Sequence, residues 1–173
     1  MEKNEQQIIL EQFRDYVIKQ ARSNLSRLKK NSSRKLYDSI KGEIKAMPNS
    51  LRLYFDMADY GFFQDKGVSG TKKKYDTKFS YTNKMPPPKA FDKWIVKKGI
   101  APRKKDGKFT TRKGLQFAIA RSIFEKGIKP SLFFTKPFEQ AFKNLPNEMI
   151  EAYGLEAEET FDTIMKENFK KTK

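Results

Sequence analysis

Apolar residues Leu10, Phe13, Val17, Ala21, Leu25 and Leu28 recur at intervals of three and four, which places them on one face of a helix. The spacing predicts an amphipathic helix over residues 5 to 30, ended by "NSS" at 31 to 33, where Asn and Ser side chains compete for backbone hydrogen bonds. Leu36, Ile40 and Ile44 fit a helical and an alternating template equally, so residues 34 to 46 stay open between the two. After the punctuation of "MPNS", Leu51, Leu53, Phe55 and Met57 alternate with outward positions and predict a strand with one buried face. "YGFFQDKG" closes at Gly67, a residue type that reaches positive φ without strain and so ends helices and turns.

From 68 to 89 the composition turns to Lys, Thr and Ser and then to "MPPPK", which predicts a loop or a long hairpin with an exposed tip. Phe91, Trp94, Ile95 and Lys98 have helical spacing stopped by Gly99. A basic loop, "APRKKDGKFTTRK", leads into a second helix marked by Leu115, Ala118, Ile119, Ser122 and Ile123 and ending at Gly127. "KPSLFFTKPF" reads as extended and apolar, with Pro137 in the first turn of a helix through Phe138, Phe142 and Leu145. Ile150, Tyr153, Ala157, Phe161 and Ile164 predict a last amphipathic helix with an acidic outer face. Together these elements predict one α+β domain over residues 1 to 173. It has a long N-terminal helix, a small antiparallel sheet, a basic helix-loop-helix insert at 68 to 127 and C-terminal helices, the last within 146 to 173.

Composition narrows the chemistry. Hydrophobic content is only 37%, but 15 Phe, 7 Tyr and one Trp supply large buried surfaces. Cysteine and histidine are both absent, which excludes disulfides, thiolate chemistry, serine triads and zinc hydrolases. Carboxylate, lysine or tyrosine chemistry remains, or none. Ile8, Ile9 and Leu10 are too short a run for a signal peptide, and no stretch approaches the roughly 20 apolar residues of a membrane span, so a soluble protein made in a cytoplasm is expected.

The net charge of +16 is uneven. Residues 72 to 113 hold 15 Lys/Arg against Asp76, Asp92 and Asp106, a net +12, whereas residues 139 to 173 hold five lysines against eight acids, a net −3. Lys72, Lys73, Lys74, Arg103, Lys104, Lys105, Lys108, Arg112 and Lys113, interleaved with Tyr75, Phe79, Tyr81 and Phe109, are the candidate polyanion-facing residues. Lysine outnumbers arginine here, which suits loose backbone contact rather than base reading; the alternative is a plain solvated surface.

Other motifs fail on spacing. Gly61 and Gly67 are too far apart for a phosphate-binding P-loop, and Val68 stands where its lysine belongs. "GVSG" at 67 to 70 has the letters of a KH loop but is followed by "TKKKYD". "GEIK" offers Glu43 and Lys45 of a metal-dependent nuclease without the upstream aspartate that chemistry requires. No cofactor is implied.

In order along the chain, "LYDSIKGEI", "LRLYFDM", "DYGFFQDKGVSG" and "GIKPSLFFTKPFEQAF" resemble the tail-completion, or neck, family of tailed bacteriophages. Leu36, Ser39 and Ile40 match its first motif, though Arg34 and Lys35 stand where the family has glycine. Tyr60, Asp65 and Gly67 match the second, with Gly61 replacing alanine and Asp65 replacing glutamate; Pro137, Phe138 and Ala141 match the third. The match covers about residues 5 to 145 apart from the long insert.

What the resemblance implies is a non-enzymatic virion subunit of the head–tail joint. It would form a homo-oligomeric ring with portal, connector or tail neighbours, with DNA passing through the lumen and no membrane partner. Tyr60, Phe62, Phe63, Asp65, Gly67, Phe133, Phe134, Pro137 and Phe138 become structural-turn or interface residues, and "TKKK" the start of a projecting loop. The alternatives are a monomeric, non-specific nucleic-acid-binding module and, more remotely, the nuclease of Glu43 and Lys45.

Overall fold

The computed structural model describes residues 5–30, 33–47, 50–103 and 106–147. The chain is α+β and divides into two compact units, Met1–Gly61 with Leu132–Lys173, and Phe62–Ser131. The C-terminal helix expected within 146 to 173, with Lys104 and Lys105, lies outside the described residues.

In the first unit, α1 (Glu5–Arg27) buries Phe13, Val17, Ala21 and Leu25, one residue per turn along a single face. The helix stops at Arg27, and Leu28, expected on the stripe, is exposed because it lies past the last turn. Residues 34 to 46 hold both structures their spacing allowed. α2 (Lys35–Ser39) ends where Ile40 turns extended, and β1 (Lys41–Met47) then pairs antiparallel with β2 (Ser50–Asp56), Ile44 opposite Leu53 and Gly42 opposite Phe55. Ser39 locks this joint: its hydroxyl donates to the Leu36 carbonyl and accepts from the Ala58 amide, both at 2.9 Å. Arg22 reaches across from α1 to the carbonyls of Tyr37 and Ile40, at 3.1 and 2.9 Å.

α6 (Thr135–Lys143) returns the chain to α1 and buries Pro137, Phe138, Ala141 and Phe142. The segment before it is not extended throughout, as the sequence predicts. Leu132 has φ 49° and Phe134 is already helical, so the chain folds over at "LFF", burying both Phe133 and Phe134 completely. Burial of two adjacent rings on one side requires that bend, since a strand would point them to opposite faces.

The second unit begins within α3 (Tyr60–Lys66) and closes through glycines. Val68 and Ile128 exchange backbone hydrogen bonds at 2.9 and 2.8 Å, and a Cβ on Gly67 would lie 2.6 Å from the Ile128 carbonyl oxygen. Residues 71 to 73 are tied down within this unit. Their amides donate to the Phe124 and Glu125 carbonyls, supplying partners to the last turn of α5 (Arg112–Lys126), whose carbonyls have none within the helix. No long hairpin spans 68 to 89; Ser69 instead forms a parallel bridge with Ser80, and Phe79 packs edge-on against Phe63 at 4.8 Å.

A 3-10 turn at Pro88–Phe91 leads into α4 (Asp92–Lys97), and both pack on α5. Thr111 caps α5 by accepting a hydrogen bond from the Gly114 amide at 3.2 Å. Thr111→Ala is expected to cost about 1 kcal/mol in a urea titration, and Thr111→Ser close to nothing, because only the hydroxyl is used.

Candidate nucleic-acid interface

Charge follows the division into units. Phe62–Ser131 holds 19 Lys/Arg against five acids, a net +14 of the chain's +16. A field this one-sided attracts polyanions before any specific contact forms.

The structure sorts the predicted cations into three groups. Lys72 and Arg112 are already engaged. Lys72 meets Glu125 at 3.0 Å, and Arg112 grips both carboxylate oxygens of Asp92, at 2.5 and 2.8 Å. Lys72, and after it Arg121 at 3.0 Å, holds the Glu125 carboxyl below its ordinary range by hydrogen bonding. Asp92 also accepts from Gln116, so it ties the start of α4 to the first two turns of α5.

Lys73 and Arg103 lie over rings: the Lys73 ammonium is 5.4 Å from the Tyr75 centroid, and the Arg103 guanidinium 4.2 Å from that of Phe109. Arg103 and Phe109 pair across a tight loop. Thr110 donates to the Pro102 carbonyl, Arg103 Nη1 donates to the Gly107 carbonyl at 3.1 Å, and Gly107 turns the chain at φ 78°. Phe109 is 58% exposed, so this tip offers a guanidinium and an open ring together. Lys74, Lys108 and Lys113 are exposed and form no ion pair among the described residues.

Sequence reading did not name the exposed Lys84, Lys93, Lys97, Lys98 and Lys129 of the same unit as candidate polyanion-facing residues. It also missed the acids that neutralise predicted cations. Arg121 and Glu125 carry a legible i,i+4 signal, whereas Asp92 and Arg112, twenty residues apart, carry none.

The structural-turn residues behave differently. Asp65, Gly67, Phe133, Phe134, Pro137 and Phe138 are buried, as is Phe62; Phe63 is half-buried and Tyr60 is 46% exposed. Glu43 and Lys45 stand on the exposed side of β1, opposite Tyr54 and Arg52. Among the described residues no group of three carboxylates is placed to hold a metal ion, and no helix is long and apolar enough to cross a membrane. Compared with family models, curated proteins and solved structures, the chain matches none.

Proposed function

We propose that the chain is a structural, non-enzymatic subunit of the neck or tail of a tailed bacteriophage. It assembles with copies of itself into a ring at the head–tail joint and turns its basic unit toward the DNA that passes through. What carries the reading is the role of the motif residues. Leu36, Ile40, Asp65, Gly67, Pro137, Phe138 and Ala141, seven of the nine residues of the three ordered motifs, are buried, Tyr60 is exposed, and Ser39 ties α2 to the Ala58 amide just past β2. Motifs that build a fold rather than line a cleft fit a structural family. The segregated charge supports the DNA-facing role and equally suits the alternative, a monomeric nucleic-acid-binding module.

Light scattering coupled to size exclusion separates the two. A discrete multimer at low salt without DNA is expected; a monomer that gains mass only on duplex DNA would transfer the assignment to the binding module. The DNA contact has its own signature. Each lysine–phosphate contact contributes about 0.9 to the slope of log K against log salt. Changing Lys74, Lys108 and Lys113 together to Gln should lower that slope by about three and weaken binding roughly a hundredfold near 0.15 M salt, uniformly across DNA sequences. An unchanged slope would remove these lysines from the interface.

A further inference from the structure

α5 is packed on one side only. Ile119, Ala120 and Ile123 lie on its inner face, whereas Gly114, Phe117, Ala118, Arg121 and Ser122 recur at three and four on the opposite face and are all exposed. Phe117 is 51% exposed and stands beside Gly114 and Ala118, with Arg121 next on the same face in an ion pair with Glu125. A helix with apolar residues on both faces satisfies one of them with its own unit and leaves the other for a partner.

We propose that this outer face of α5 is a docking seam for residues 148 to 165 of a second copy of the chain. The occupant follows from charge and pattern. Residues 148 to 165 carry six acids and no Lys or Arg, a charge opposite to that of the net +14 unit in which Lys113 and Lys126 flank the seam. Ile150, Tyr153, Ala157, Phe161 and Ile164 have the spacing to lay one apolar stripe against Phe117 and Ala118.

Seam and segment are different surfaces of one chain, so each subunit is donor to one neighbour and acceptor to the other. A contact of that kind gives rings where its rotation closes and open filaments where it does not, never two-fold dimers. The proposal therefore rests on the self-assembling reading and supplies its interface.

Two full-length variants test it. Phe117→Asp breaks the acceptor; the triple change Glu156→Lys, Glu158→Lys and Glu159→Lys breaks the donor. The expected result is a multimeric wild type, a monomer for each variant alone, and a 1:1 heterodimer on mixing that grows no further, since only one intact interface remains. Formation of that heterodimer also proves both variants folded. Variants that keep the wild-type mass would overturn the seam and leave the ring reading standing. Variants that are monomeric and fail to complement would likewise overturn docking between copies. A wild type that is monomeric at low salt would overturn both.

Discussion

Gly127→Ala is expected to destabilise the basic unit by about 3 kcal/mol or more, a large part of the roughly 5 to 15 kcal/mol that a domain possesses. Two independent costs meet at this residue. Its backbone, at φ 73° and ψ −168°, lies in a region essentially restricted to glycine, which alone costs about 1 to 3 kcal/mol for an L side chain. An added Cβ would also overlap the Val68 carbonyl oxygen, which accepts from the Ile128 amide, and would stand 2.6 Å from the Gly70 nitrogen. Relief requires the 67–70 and 125–128 segments to part, and with them the amides that partner the end of α5. Gly99→Ala is the control. Gly99 has φ 61° but nothing within 4 Å of an added Cβ, so only the backbone cost of about 1 to 2 kcal/mol is expected. Urea titrations of both variants, followed by circular dichroism, read the difference. Equal losses would mean that close approach at Gly127 contributes nothing.

That crossing of glycines also marks where sequence reading stops. α1, β2 and α6 are legible because each buries one face and the spacing of Phe13, Val17, Ala21 and Leu25, or of Leu51, Leu53 and Phe55, records which. The 68 to 89 stretch is not, since its partners are distant: Val68 pairs with Ile128, and Thr71 with Phe124. No local pattern encodes a pairing across more than fifty residues.

α5 shows a different limit. Its spacing predicts a face through Leu115, Ala118, Ile119, Ser122 and Ile123, yet Ala118 and Ser122 point outward and Ala120 is the buried residue. With apolar residues all round, periodicity has no single answer to give. The candidate cations were legible as a composition. Which of them are already spent was not, because Lys72 and Glu125 stand 53 residues apart and meet only in the fold.

Phe138→Ala should cost about 3 to 5 kcal/mol, read as a lower urea midpoint with an unchanged slope. The ring is fully buried at the centre of an aromatic cluster. It stands edge-on to Phe13 at 5.4 Å and to Phe55 at 6.3 Å, and lies stacked at 6.4 Å on Phe134 and on Phe142. Rings from α1, β2 and α6 meet there, so truncation leaves a cavity that no single element can close by shifting. Phe138→Leu, which keeps much of the volume, should cost only roughly 1 to 2 kcal/mol. Phe117→Ala makes the informative comparison. The same side chain removed from the outer face of α5 should change the stability of a single chain by about 0.5 kcal/mol or less, because an exposed ring leaves no cavity. On the proposed seam, one phenylalanine would govern whether the subunit folds and the other whether folded subunits associate. A substantial loss of single-chain stability in Phe117→Ala would instead make that ring part of the fold, and the seam would lose its anchor.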